Sequence, residues 1–166
     1  MTRIPNHPIV EAFVFCVEGM AMVQMYLHTM EDVFAREEVA KLKAQVAEAK
    51  LVVITSHRSP DGDAIGSSLA LQHMLQAMEV NASVVMPDAY AKFLNWMPGQ
   101  EAVRFHDAEP EAVSALVAGA DVLFCLDYNA PSRAGGLADA VKVACANDSG
   151  TVVTVSYTHL TLPTST

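Results

Sequence analysis

The sequence predicts an α/β fold in which a mainly parallel β-sheet is flanked by helices. Three runs rich in Val, Ile and Leu have the length of strands, and segments with helical spacing of their apolar residues lie between them. These runs are residues 51–55, 81–86 and 121–128. The last is almost continuously apolar, which is typical of a strand buried on both faces of a parallel sheet. Strands that alternate with helices form right-handed β-α-β units.

The remaining elements follow from the same periodicities. A surface helix is predicted for residues 31–49, because Val39, Leu42 and Val46 recur at helical spacing between charged residues. The spacing also predicts helices over residues 64–78 and 110–118, a loop or short helix over 87–99 and a short strand over 102–105. Residues 130–146 are predicted to form a turn followed by a helix.

The two ends of the chain differ from its centre. Residues 1–29 show no clean period, so a non-native or extra N-terminal extension is expected there, with a native helix packed on the domain as the alternative. Residues 155–166 are rich in Thr and Ser and resemble translated adapter DNA. They are expected to be a non-native tail, with a native disordered tail as the alternative. Residues 30–154 are then the folded unit.

Composition limits the classes of function. The 166 residues are 52% apolar and 17% charged, which indicates one globular domain. The formal net charge of −9 disfavours a protein that coats duplex nucleic acid, but is compatible with an enzyme that handles short oligonucleotides through bound cations. Three widely spaced cysteines give neither a disulfide framework nor zinc-finger spacing. Without an export signal or a convincing membrane span, a cytoplasmic location is expected.

Candidate metal ligands follow two of the predicted strands. His57, Asp61 and Asp63 come after the first strand, and Asp127 ends the last one. The carboxyl ends of parallel strands are where open α/β sheets bind ligands. One imidazole among carboxylates suits Mn²⁺ or Mg²⁺ better than a metal that prefers thiolates.

The turn between the first strand and its helix is expected to bring these ligands together. Pro60 should hold Ser59 in an extended conformation. Gly62 should permit a positive φ that turns the carboxylates on either side of it toward one point.

Each candidate also has a structural explanation. Asp63 alone is explained as the N-cap of a helix that begins at residue 64, and His57 as a hydrogen-bonded residue at a strand end. Asp127 after an apolar run is also explained as the start of a loop. Trp96 is predicted to anchor its loop in the core, with stacking on a nucleobase as the alternative.

Two motifs resemble a known family. The eleven residues His57-Arg58-Ser59-Pro60-Asp61-Gly62-Asp63-Ala64-Ile65-Gly66-Ser67 resemble the first motif of the DHH family of phosphoesterases. Asp127 and the following Tyr-Asn-Ala-Pro-Ser-Arg segment resemble the second motif, an aspartate followed closely by Ser-Arg. Within the family, the first motif is most similar to that of bacterial enzymes that degrade very short RNAs and dephosphorylate 3'-phosphoadenosine 5'-phosphate.

The resemblance implies a site and a chemistry. His57 and Asp61 would hold one Mn²⁺, Asp63 would help to hold a second, and Asp127 would bridge the two. Asp63 and Asp127 are accordingly the implied catalytic residues, since the ion pair would activate a water for attack on phosphorus. Arg133 would contact a substrate phosphate, and Ser67, with Gly66, would offer donors to an anion near the helix start.

The sequence also departs from the family. No His-His pair occurs, although the family is named for an Asp-His-His motif, and neither its fourth motif nor its C-terminal substrate-binding domain is recognisable. The chain is therefore expected to be a truncated DHH-type N-terminal domain that binds Mn²⁺ weakly and has little or no activity by itself.

The resemblance implies substrates and leaves rivals open. The expected substrates are short RNA oligonucleotides (nanoRNA) and 3'-phosphoadenosine 5'-phosphate, with no membrane partner, and a homodimer is left open. A cyclic or linear dinucleotide is an alternative substrate. A non-catalytic nucleotide-binding regulatory domain is a rival of another class, disfavoured because all four candidate ligands are present. Inorganic pyrophosphatase is disfavoured because its first motif has Thr where Gly62 stands.

Overall fold

The centre of the protein is a five-stranded parallel β-sheet. The structure is a computed structural model that describes residues 36–147 and 150–155, so the predicted N-terminal extension and residues 156–166 of the predicted tail lie outside the described residues. The strand order across the sheet is β3-β2-β1-β4-β5, and all neighbouring strands are parallel. The strands are β1 Val52–Thr55, β2 Ala82–Met86, β3 Arg104–Phe105, β4 Val122–Leu126 and β5 Thr151–Val155.

Helices and short 3-10 turns connect the strands. The helices are α1 Arg36–Glu48, α2 Gly62–Ala77, α3 Pro110–Ala118 and α4 Ala138–Ala146. The 3-10 helices are Lys92–Leu94, Gln100–Ala102 and Pro131–Leu137. The predicted α/β fold with a parallel sheet and flanking helices is thereby confirmed.

Apolar side chains fill both faces of the sheet. Because side chains alternate along a strand, Val52 and Ile54 of β1 face one layer while Val53 faces the other. The first layer contains α2, through residues such as Ile65 and Leu75. The second contains α3 and α4. All five residues of β4 are buried, as its uninterrupted apolar run predicts.

The strand order places a topological switch between β1 and β4. The chain moves outward from β1 to β2 and β3, then returns to the other side of β1 to form β4. The loops that leave β1 and β4 therefore diverge, and a crevice opens at the carboxyl ends of these two strands. His57 and Asp127 lie in those two loops.

One strand is absent from the sequence prediction. β5 pairs with β4 over its whole length, from Val122 opposite Thr151 to Leu126 opposite Val155. The alternation of Thr and Val in this segment is short and runs into a Ser- and Thr-rich stretch, so its period alone is a weak signal. Pairing with β4 decides its conformation. Val155, assigned by the sequence to the tail, is the last residue of this strand.

Trp96 does not anchor its loop, so that expectation was wrong. Its side chain is 73% exposed, whereas Leu94 in the same loop is buried at 6% exposure. An apolar residue two positions away therefore fills the space that the sequence assigns to the indole. Within the described part of the chain, no helix is long and apolar enough to cross a membrane.

Candidate metal centre

A buried hydrogen bond joins the carboxyl ends of β1 and β4. The Ser56 hydroxyl donates to the backbone oxygen of Leu126 over 2.9 Å, and Ser56 is fully buried. The residues that follow, His57 and Asp127, are therefore held side by side. A buried hydrogen bond of this kind contributes about 1 kcal/mol to stability, and here it also fixes the spacing of two candidate ligands.

His57 presents one ring nitrogen to Asp127. The ring is buried, with its Nδ1 2.7 Å from the backbone oxygen of Arg58. A carbonyl oxygen only accepts, so Nδ1 carries a hydrogen and donates to it. Nε2 lies 3.3 Å from Oδ2 of Asp127. In the neutral ring this nitrogen bears a lone pair, and two acceptors that face each other require a proton or a cation between them.

Asp127 has a left-handed backbone conformation. Its φ is 61°, a region that is uncommon for residues other than glycine and is best tolerated by Asn and Asp. The amide of Asp127 donates to the oxygen of Val155 over 2.7 Å, which ties it to the end of β5. This conformation costs about 1 kcal/mol or more, and such strain concentrates at functional sites.

Asp61 is the N-cap of α2. Its Oδ1 accepts from the amides of Asp63 and Ala64 at 3.1 and 3.0 Å, and the helix begins at Gly62. The alternative explanation of Asp63 as the helix cap was therefore wrong, since the cap lies two residues earlier. An extended backbone at Asp61, with φ −93° and ψ −171°, sets up the cap. One carboxylate oxygen is thus engaged at the helix start.

The turn before this helix differs from the prediction. Ser59 has a φ of 53° and is not extended, because its amide donates to Oδ1 of Asp88 over 2.6 Å across the sheet edge. That tertiary bond overrides the local effect of Pro60. Gly62 does not take a positive φ either; the described glycines that do are Gly99 and Gly135.

Three of the four predicted ligands come together. One ligand atom from each of His57, Asp61 and Asp127 lies within 4.8 Å of the other two. An imidazole nitrogen and two carboxylate oxygens at this separation fit a divalent cation such as Mn²⁺ or Mg²⁺. The residues present therefore fit the metal that the sequence implies. His57 is buried, Asp127 half-buried and Asp61 exposed, so the cluster opens to solvent on one side.

Asp63 and Ser67 lie outside this cluster. Asp63 is exposed in the first turn of α2, and its place on a second ion stays a prediction. The Ser67 hydroxyl donates to the backbone oxygen of Asp63 over 2.7 Å. Because α2 begins at Gly62, Gly66 and Ser67 lie beyond the turn whose amides are free for an anion. The expectation of backbone donors there was wrong, and a substrate contact of the Ser67 side chain stays a prediction.

Arg133 lies close to the first motif. It belongs to the 3-10 segment Pro131–Leu137, and its backbone oxygen accepts from the amide of Arg58 over 2.8 Å. Both side chains are exposed. The ion pairs of the described residues involve neither guanidinium group. The backbone of Arg133 is thus held beside Arg58 of the first motif, and a phosphate contact of its side chain stays a prediction.

Sequence reasoning missed two supporting residues. Ser56 links β1 to β4, and Asp88 holds Ser59 in its left-handed conformation. Both follow a strand end closely, which is the signal that could have found them. Neither contributes a ligand atom to the group of three.

The strands and the cluster fall within the match to one protein family. The model of the DHH family, N-terminal domain, matches residues 51–158. This chain belongs to the DHH family. The match includes every strand of the sheet and all three residues of the cluster. It supports a phosphoesterase-like domain, and DHH domains are metal-dependent, in agreement with the donor set of the cluster.

One solved structure supports the fold. The chain is similar to an exopolyphosphatase-related protein from Bacteroides fragilis, with 38% identity, a TM-score of 0.69 and 77% of this chain covered. The match covers 36% of that protein, so this DHH chain spans about a third of its length. An alpha-glucosyltransferase in complex with UDP and DNA gives 14% identity, a TM-score of 0.46 and coverage of 63% and 30%. Among curated proteins nothing matches.

Proposed function

We propose that this domain is the metal-binding half of a phosphoesterase that hydrolyses short oligoribonucleotides and 3'-phosphoadenosine 5'-phosphate. The observation that carries the proposal is the convergence of His57, Asp61 and Asp127 at the switch point of the sheet. The motif that supplies two of these ligands is the one that resembles enzymes with these substrates. A cytoplasmic location and a homodimer stay predictions.

The residues of the cluster have separate tasks in this proposal. His57 offers Nε2 to a cation while its Nδ1 is held by the Arg58 carbonyl, which fixes the orientation of the ring. Asp127 supplies a carboxylate whose Oδ2 lies 3.3 Å from Nε2 of His57, while its amide is held by the oxygen of Val155. Asp61 supplies one oxygen while it caps α2, so the helix start and the site form together.

Manganese is the cofactor that we propose, with two ions in the complete protein. A pair of such ions, when bound, lowers the pKa of water and offsets charge on the phosphate oxygens. Asp63 would face the second ion. Arg133 would bind a substrate phosphate through its planar fork, and Ser67 would lie beside it.

Titration of the 166-residue chain with Mn²⁺, followed by calorimetry, tests the site. We expect one weak site that His57→Ala and Asp127→Asn each weaken at least tenfold. Asn keeps the size of Asp127 and tolerates its left-handed backbone, so the loss would report the carboxylate. Asp139→Asn is the matched control, because Asp139 is an exposed acid on α4 that pairs with Lys142. Equal affinity of all four proteins would refute the metal centre.

Turnover by the longer parent protein tests the substrates. Hydrolysis of a 5'-phosphorylated RNA dinucleotide and of 3'-phosphoadenosine 5'-phosphate in Mn²⁺ is expected, with loss of both activities in Asp127→Asn. The isolated chain is expected to show little or none. Preference for a cyclic dinucleotide, or Mn²⁺-independent binding without turnover, would favour the alternatives of a cyclic-dinucleotide phosphodiesterase or a regulatory domain.

A second candidate substrate is inorganic polyphosphate. It is favoured by the similarity to an exopolyphosphatase-related protein at 38% identity. The same metal centre would serve a phosphoanhydride, because the bound cations would contact oxygens of the phosphoryl group that is attacked, which both substrate classes share. Release of phosphate from tripolyphosphate by the parent protein, measured beside the RNA dinucleotide, separates the two.

A further inference from the structure

Two aromatic rings stand exposed on the loop that follows β2. Phe93 is 76% exposed and Trp96 is 73% exposed, the two highest values among the exposed large apolar side chains of the described chain. We refer to Phe93 and Trp96 as the aromatic pair. A large apolar ring left in solvent loses about 1.5–3 kcal/mol of the stabilisation that its burial would give. Two such rings in one loop indicate a binding role.

The loop itself is well fixed. Leu94 is buried, and the Tyr90 hydroxyl donates to the side-chain oxygen of Gln100 over 3.1 Å. At the far end, Nε2 of His73 in α2 lies 3.0 Å from the backbone oxygen of Pro98. The aromatic pair is therefore held outward by a loop that is anchored on both sides.

The same loop lies beside the start of α2. Leu94 Cδ2 lies 3.9 Å from the position that a Cβ on Gly62 would occupy, so the loop packs at the first residue of the helix. Gly62 directly follows Asp61 in sequence, and Leu94 directly follows Phe93. The aromatic pair is therefore on the loop that packs next to the helix start capped by Asp61.

The two rings are three residues apart in a segment of tight turns. Phe93 lies in the 3-10 helix Lys92–Leu94, and Trp96 lies in the turn that follows it. Amides of Leu94, Asn95 and Met97 donate to residues three positions earlier, which fixes this backbone. Lys92 and Asn95, next to the rings in sequence, are also exposed.

We propose that the aromatic pair is a stacking platform for a nucleobase of the substrate whose phosphate lies at the metal centre. The inference rests on the proposed function for the phosphate position and adds the group that holds the base. Aromatic rings bordered by basic and amide side chains are the common means of holding an unpaired base, with about 1–3 kcal/mol per stacked base. The platform would favour nucleotides over inorganic polyphosphate.

The pattern fits a base better than a protein partner. A stable protein interface needs about 800 Å² on each side, and the other large exposed apolar residues of the described chain are Met78 and Val143. Met78 follows the opposite end of α2, about 24 Å from Gly62 along a 16-residue helix. Val143 lies on α4. Two exposed rings in one short loop match the size of one or two bases.

Trp96 is the single tryptophan of the sequence, so its fluorescence reports on the platform directly. With Mn²⁺ present, the 166-residue chain would be titrated with adenosine 5'-monophosphate and, separately, with ribose 5-phosphate and tripolyphosphate. We expect quenching of Trp96 by the nucleotide and at least tenfold weaker binding of ribose 5-phosphate. Tripolyphosphate should bind without quenching.

Variants make the assignment specific. By calorimetry, Trp96→Ala and Phe93→Ala should each weaken adenosine 5'-monophosphate by about five- to a hundredfold, while Trp96→Phe should restore most of the affinity. Mn²⁺ affinity should stay unchanged in all three. Met78→Ala, an exposed apolar residue away from the site, is the matched control and should bind like the wild type.

Three results would overturn the platform. The first is no quenching of Trp96 at millimolar nucleotide, and the second is equal affinity for adenosine 5'-monophosphate and ribose 5-phosphate. The third is Trp96 emission that changes only with protein concentration, which would assign the rings to contact with a second copy of the chain. Failure of the proposed function is distinguishable from these, because it would appear as lost Mn²⁺ binding while nucleotide quenching persists.

Discussion

His57 and Asp127 show how two residues form a candidate cation site. Nδ1 of His57 is occupied by the Arg58 carbonyl, and Nε2 faces a carboxylate oxygen at 3.3 Å. Two acceptors at this distance repel unless positive charge lies between them. Both side chains are sheltered, with 9% and 27% of their surfaces exposed, so solvent screens the interaction less than it would at an open surface.

Asp61 carries two tasks that substitution can separate. Asp61→Ala removes the helix cap and the carboxylate, so we expect a loss of about 1 kcal/mol of unfolding free energy together with weaker Mn²⁺ binding. Asp61→Ser keeps a capping oxygen and should lose Mn²⁺ affinity at near wild-type stability. Urea unfolding without metal and calorimetry with Mn²⁺ measure the two effects. If Ser costs as much stability as Ala, capping is not the stabilising role of Asp61.

At the scale of elements, the segment Pro131–Leu137 connects the two motifs. It contains Gly135, whose φ of 56° and ψ of −127° interrupt the 3-10 geometry. A Cβ at that position would lie 3.1 Å from Cβ of Arg58 and 3.5 Å from Cβ of Pro87. The kink thus lets the backbone approach the first motif closely, and the backbone oxygen of Arg133 in the same segment accepts from the amide of Arg58.

Two glycine substitutions should have opposite effects. Gly135→Ala combines a backbone strained for an L-residue with a tight contact, and should cost about 1–3 kcal/mol of unfolding free energy. Gly66→Ala is the matched control, since Gly66 lies inside α2 with nothing within 4 Å of its added Cβ. It should stabilise the protein by about 0.5–1 kcal/mol. Urea unfolding followed by circular dichroism would measure both. A neutral Gly135→Ala would contradict the importance of the kink.

For the whole molecule, burial of two titratable groups predicts an alkaline limit to stability. Burial raises the pKa of Cys125 to about 12. It also raises the pKa of Tyr128 well above its ordinary value. The Tyr128 hydroxyl has no hydrogen-bond partner of good geometry among the described residues. Both groups belong to the core layer that contains α3 and α4.

Thermodynamic linkage determines how the Cys125 thiol changes the folding stability as the pH rises. The pKa of Cys125 is higher in the folded protein than its ordinary 9.0, so the unfolded chain loses the proton first as the pH rises. The contribution of the protonated thiol to folding stability is complete below pH 9 and is lost as the pH rises toward 12. Between pH 8 and pH 11, urea unfolding should show a loss of about 1–3 kcal/mol from this thiol. Cys125→Ala should reduce that loss, and an equal loss in both proteins would contradict it.

Continuous apolar runs made most of the sheet predictable. β1, β2 and β4 lie within the predicted strands, and α3 has its predicted bounds, Pro110–Ala118. The apolar composition of these segments is enough to predict that they are buried, without knowledge of which elements they pack against. β5 is different, because Thr151–Val155 gains its conformation from pairing with β4. The exposure of Trp96 could not be predicted from the neighbouring sequence either, since Leu94 and not the indole fills the interior beneath this loop.

The sequence by itself determined the α/β class, the family motif and the identity of the candidate ligands, because strand burial and donor chemistry are properties of the residues. Only the tertiary structure decided that Asp61 caps α2, that Asp88 turns Ser59 to a positive φ, and that Nε2 of His57 faces Asp127. The physical reason is distance along the chain. His57 and Asp127 are 70 residues apart in sequence, and only the parallel pairing of β1 with β4 brings them together.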